Sequence, residues 1–81
     1  MKIRVKLFAV AMELAGRDEL TIDLPDGATV RDLQDAVMAA SPALSRIIPH
    51  ALWAVNAEYA NGSTHLNEQS EIALIPPVSG G

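Results

Sequence analysis

The sequence predicts a single α+β domain, a mixed sheet of about five strands with one main helix packed on one face. Three observations carry that expectation. Ile3, Val5 and Leu7 alternate with Lys2, Arg4 and Lys6, the period-two pattern of a strand with one buried and one wet face. Val30, Leu33, Ala36, Val37 and Ala40 recur at helical spacing, giving an apolar stripe that must lie on something. The order strand, strand, helix, strand, strand, strand then fits one sheet covered on one side.

Each element has its own local signal. After the first strand the phase breaks, and Phe8 falls on the face of the lysines and arginine. Ala9 to Ala15 form one or two helical turns that Gly16 stops. The second strand points Leu20, Ile22 and Leu24 inward and Thr21 and Asp23 outward, closing at Pro25-Asp26-Gly27. Thr29 suits a helix N-cap, and Asp32 and Asp35 suit the positive end of the helix dipole. Pro42 limits the main helix, because the residue before a proline is pushed out of helical geometry. Leu44, Ile47 and Ile48 pack a further short turn that Pro49 is expected to end. Leu52 to Val55 reads as the third strand and Glu58 to Ala60 as a short fourth, before the Asn61-Gly62 turn. A polar loop from Asn67 to Ser70 precedes the last strand, Glu71 to Ile75. There Ile72 and Leu74 face one way, and Ala73 and Ile75 the other. With the first and last strands paired at the sheet centre, Phe8 and Ile75 share the face away from the helix. Tyr59 joins them in a candidate docking patch.

Composition narrows the chemistry. Eighty-one residues make one small domain, burying only about 60% of its unfolded surface, with little room for an enclosed catalytic pocket. The sequence has no cysteine, which excludes disulfides, Cys-ligated zinc and a thiol nucleophile. A net charge of −4 and a pI near 4.9 argue against nucleic-acid binding, and Lys2, Arg4 and Lys6 read as the wet face of a strand. Met1-Lys2 leads straight into alternating residues, without the apolar stretch of a signal peptide, and no run approaches membrane-spanning length. The expected compartment is therefore the cytoplasm, with no membrane partner. Asn61-Gly62-Ser63 matches a glycosylation sequon and reads better as a turn. His50 and His65 lack neighbours at metal-ligand spacing, so no metal site is expected. No phosphate loop and no strained nucleophile turn is present.

What remains is the end of the main chain. Pro76-Pro77-Val78-Ser79-Gly80-Gly81 follows the last strand with no polar linker. The expected division is a domain over residues 1–75 and an extended tail over 76–81. The prolines favour an extended conformation, while glycines pass where no side chain fits. Six extended residues project about 20 Å, enough to enter another protein's active site. The carboxylate of Gly81 is ionised at neutral pH and a poor electrophile until something activates it.

The chain resembles the small subunit of molybdopterin synthase, the ubiquitin-like β-grasp sulfur carriers often called MoaD. The resemblance spans nearly the whole sequence and is strongest from Glu71 to Gly81, ending in the Pro-Pro-Val-Ser-Gly-Gly tail. Phe8-Ala9, Glu13-Leu14, Gly16 and Val55-Asn56 also match. Met12 stands where an arginine is common, and Gln69-Ser70 replaces a common Gly-Asp. The resemblance implies that a ubiquitin-activating-type adenylyltransferase uses ATP to adenylate Gly81, and that a sulfur donor system converts it to a thiocarboxylate. Within a heterotetramer, the large synthase subunit would receive the tail (Pro76, Pro77, Val78, Ser79, Gly80) and its sulfur would pass to cyclic pyranopterin monophosphate. Phe8, Tyr59 and Ile75 match docking positions, and the chain itself is expected to bind no cofactor. Two alternatives stand beside this one: a related carrier for thiazole or another thiolated product, and a protein modifier or plain interaction module.

Overall fold

A computed structural model describes residues 1–77. Its elements run β1 (Lys2–Leu7), α1 (Ala9–Ala15), β2 (Glu19–Asp23), α2 (Val30–Ala40), two 3-10 turns (Pro42–Leu44 and Ile48–His50), β3 (Leu52–Val55), β4 (Glu58–Ala60) and β5 (Ile72–Ile75). The five strands form one mixed sheet in the order β2-β1-β5-β3-β4. β1 and β5 pair in parallel at its centre, with Val5 opposite Ile72 and Leu7 opposite Leu74. The other neighbours are antiparallel.

One face is sealed. Ile3, Val5, Leu7, Leu20, Ile22, Trp53, Ile72 and Leu74 form a single buried cluster with Val30, Leu33 and Val37 of α2. The period-two pattern aims every second strand residue at the helix, so β1, β2 and β5 contribute alternate side chains to this core and β3 contributes Trp53. Helix α2 starts on a capping box: Thr29 Oγ1 accepts from the Asp32 N–H at 3.4 Å, and Asp32 Oδ2 accepts from the Thr29 N–H at 2.9 Å. Two otherwise orphaned donors are thereby satisfied.

Three expectations need correction. Ala40 ends α2 exposed, so the buried stripe stops at Val37. Pro49 lies inside the second 3-10 turn rather than after it; early helical positions need no N–H donor and tolerate proline. Glu71 precedes β5 instead of belonging to it. Its N–H donates to Asn56 Oδ1 at 2.9 Å, and its carbonyl accepts from the Asn56 N–H at 2.8 Å. That exchange ties the β3–β4 turn to the start of the tail-bearing strand.

Candidate docking face and carrier tail

Met12 and Leu14 are exposed on α1, and the sheet face away from α2 carries further exposed apolar side chains. Across it runs a row set by strand register: Glu19, Lys6, Ala73, Ala54 and Tyr59. The next level pairs Ile75 with Leu52. Phe8, Leu52 and Tyr59 are 49%, 53% and 73% exposed, while Ile75 is half-buried. A small domain that leaves three large side chains so open on one face has an unpartnered surface. The structure therefore puts Phe8, Ile75 and Tyr59 on one face, as the phase argument expected. Three strand spacings of about 4.8 Å put Tyr59 roughly 14 Å from β1, so it marks the far side of the patch rather than a contact of Phe8.

Leu52 fills the gap between them, and sequence reasoning missed it. Leu52-Trp53-Ala54-Val55 is an unbroken apolar run, in which no alternation tells the inward residues from the outward ones. Only the register with β5 assigns Leu52 outward and Trp53 inward.

Phe8 owes its position to an unusual turn. It follows β1 in extended geometry, with φ −127° and ψ 155°, and Ala9 then takes a φ of 50°. A left-handed alanine is strained by its Cβ, and the bend sends the chain off the sheet into α1. Gly16 closes that helix at a φ of 72°, its N–H donating to the Met12 carbonyl at 2.9 Å.

Beside Phe8 lies an open concavity lined by Ala54, Ala57 and Ala73 together with the charged Arg4, Lys6, Glu19 and Glu71. Among the described residues the one ion pair is Lys2–Asp23, at 3.1 Å, and no group of three or more His, Asp or Glu residues is placed to hold a metal. His65 Nδ1 lies 3.1 Å from the Gly27 carbonyl in a structural contact. Ser63 donates from both N–H and Oγ to Asn61 Oδ1, at 2.9 and 2.6 Å, so the sequon is a side-chain-stabilised turn.

Pro76 and Pro77 follow β5 directly. The remaining tail residues, Val78, Ser79, Gly80 and Gly81, lie outside the described residues. The strand that leads to them is central in the sheet and ends on Ile75, within the exposed face. Ile75 thus joins the exposed face to the root of the tail.

Residues 5–81 match the ThiS family. The chain belongs to the ThiS family. Among relatives of this ThiS-family chain is the molybdopterin synthase sulfur carrier subunit of Chlamydomonas reinhardtii, 41% identical with both chains fully covered. A crystal structure of SAMP1 from Haloferax volcanii superposes with a TM-score of 0.88 at 37% identity, again over all of both chains. In a solved complex of subunits 1 and 2 of the molybdopterin-converting factor of Helicobacter pylori, one chain matches with a TM-score of 0.70 over all of both chains. Its 23% identity makes that a likeness of fold. The β-grasp architecture expected from the family resemblance is the one observed.

Proposed function

We propose that this protein is the sulfur carrier and small subunit of a molybdopterin synthase, working in the cytoplasm. The observation that carries the reading is full-length similarity to a sulfur carrier subunit of that synthase, at 41% identity, with the family match running through Gly81. The geometry agrees with it. An exposed apolar face sits at the root of the tail, and the cysteine-free chain needs its sulfur delivered from outside.

The chemistry follows from the terminal carboxylate. An oxygen of Gly81 attacks the α-phosphorus of ATP on an adenylyltransferase, and pyrophosphate leaves. The acyl adenylate is a good electrophile, and hydrosulfide from the donor system attacks its carbonyl carbon, displacing AMP and losing its proton to water. The resulting thiocarboxylate is the group the chain carries. On the large subunit the face around Phe8, Leu52, Tyr59 and Ile75 docks, and the tail brings its sulfur to cyclic pyranopterin monophosphate. Two charged carriers serve each dithiolene. The protein supplies reach and positioning, and its partners supply the catalysis.

Intact-mass spectrometry of protein made in a host with the sulfuration system tests this. A species with one terminal oxygen replaced by sulfur is expected, and it should vanish when Gly81 is deleted from an otherwise folded chain. Absence of that species under conditions that charge a control carrier would overturn the reading.

The likeness to SAMP1 of Haloferax volcanii, and a 39% identity to the small archaeal modifier protein 1 of that organism, favour one second reading. As a modifier, the activated carboxylate of Gly81 would form isopeptide bonds to lysines. That reading predicts ladders of conjugates on other proteins, lost with Gly81.

A further inference from the structure

We infer that Asn61-Gly62 is a self-modifying site, at which the backbone nitrogen of Gly62 converts the Asn61 side-chain amide to an acid and so uncaps helix α2. The site stands apart from the carrier reading, since it needs neither the tail nor a partner.

The chain has three asparagines, Asn56, Asn61 and Asn67, and their surroundings differ. A backbone nitrogen that attacks the Cγ of the preceding asparagine closes a succinimide ring, and a Cβ on the attacking residue crowds that closure. Among the three, Asn61 alone precedes a glycine. Its Oδ1 accepts from the Ser63 N–H at 2.9 Å and from Ser63 Oγ at 2.6 Å. That turn folds the side chain back toward the Gly62 nitrogen, and two donors on one carbonyl oxygen favour the negative charge that develops there on attack. Asn61 is exposed, and among the described residues no hydrogen bond engages the Gly62 N–H. Asn67 is an internal control. Its Oδ1 accepts from the Gln69 N–H at 2.9 Å in the same kind of turn, but the attacking nitrogen belongs to Glu68, which carries a Cβ. Asn56 Oδ1 is turned instead to the Glu71 N–H.

Water is the one co-reactant. Hydroxide takes the Gly62 amide proton, the nitrogen bonds to Asn61 Cγ, and the Cγ–Nδ2 bond breaks. The departing nitrogen takes a proton from water and leaves as ammonia, which restores the hydroxide. A second water then opens the imide. Cleavage at Cγ leaves an aspartate at position 61, and cleavage at the main-chain carbonyl leaves an isoaspartyl link, with Cβ inserted into the backbone.

The place of the turn gives this chemistry its consequence. The Gly62 and Thr64 carbonyls accept from the Arg31 and Val30 N–H groups at 3.0 and 2.9 Å, two first-turn donors of α2 that have no partner within the helix. An extra backbone atom between positions 61 and 62 displaces the Gly62 carbonyl from Arg31, and α2 loses part of its cap as the isoaspartyl form accumulates.

The test is to incubate the folded chain at neutral and at mildly alkaline pH and to follow each asparagine by peptide mapping with tandem mass spectrometry. Asn61 should convert at least about tenfold faster than Asn67, a barrier difference of about 1.4 kcal/mol, and faster still at the higher pH. Gly62→Ala should slow the conversion about tenfold. The added Cβ would lie 3.6 Å from Arg31 Cβ, an ordinary contact, and Gly62 is not among the positive-φ glycines, so the variant folds. The isoaspartyl form, separated by chromatography, should melt about 4–8 °C below the parent, the scale of one lost helix cap. Equal rates at Asn61 and Asn67 overturn the site. So does a folded chain that converts Asn61 about tenfold more slowly than the urea-unfolded chain, because the fold would then protect the amide. An isoaspartyl form as stable as the parent overturns the uncapping.

Discussion

The two faces of the sheet are built from the same strands and do opposite work. On β5, Ile72 and Leu74 are buried against α2, while Ala73 and Ile75 alternate with them onto the open side. On β1, Ile3, Val5 and Leu7 are buried, while Lys2, Arg4 and Lys6 are exposed. The inner face holds the domain together, and the outer face is the one that the proposed function gives to a partner. A strand with period two keeps these roles one residue apart, so substitutions at neighbouring positions should separate stability from binding.

The largest effect belongs to the inner face. Leu74→Ala removes a fully buried side chain from the tail-bearing strand and should cost about 3 kcal/mol. That is a large share of the roughly 4–12 kcal/mol expected for a domain of this length. Denaturant unfolding reads it directly. A loss below about 1 kcal/mol would mean that the β5 core can collapse around the cavity and that the faces differ less than their burial implies.

One residue further on, the comparison should invert. Ile75→Glu puts a charge on a half-buried outer position and should weaken large-subunit binding by at least about 30-fold, the scale of an interface hot spot. Its cost to the free chain should stay near 1 kcal/mol. If the variant unfolds instead, Ile75 belongs to the core and the outer face is smaller than its exposure implies.

Much of this division was legible in the sequence, and the exceptions share a cause. Alternation in β1 and β2 and the Thr29 cap were readable because each is a local pattern with a local reason. Phe8 was readable because it broke a phase already established by Ile3, Val5 and Leu7. Leu52 was not, since its strand is apolar at every position and only pairing with β5 decides which side is wet. The turn at Asn56 and Ala57 was also hidden, because it lacks the glycine by which such turns are recognised. Its left-handed geometry is imposed by pairing on either side, with β4 and with Glu71.

A smaller effect tests how the inner face is kept dry. Thr29→Ala removes the side-chain acceptor of the α2 capping box and should cost about 1 kcal/mol, seen as a fall of about 4–8 °C in melting temperature. Large-subunit affinity should be unchanged, since Thr29 lies at the start of the helix on the covered side. A matching loss of affinity would show that α2 sets the geometry of the outer face through the core.

The smallest expected effect marks where the outer face stops being functional. Lys2 and Asp23 form an ion pair at 3.1 Å with side chains 72% and 77% exposed, and exposed pairs of this kind contribute about 0.2–1 kcal/mol. Lys2→Ala should therefore shift unfolding by less than about 0.5 kcal/mol. Its distance from the tail root makes it informative about binding. Lys2 opens β1 and Phe8 follows its end, so six residues at about 3.3 Å each separate them by about 20 Å. If docking is confined to Phe8, Leu52, Ile75 and Tyr59, Lys2→Ala should leave the affinity within about twofold, as expected outside a hot spot. A tenfold loss would extend the interface along all of β1 and bring Arg4 and Lys6 into it. The outer face would then be a charged surface read along its whole length, rather than an apolar patch at the root of the tail.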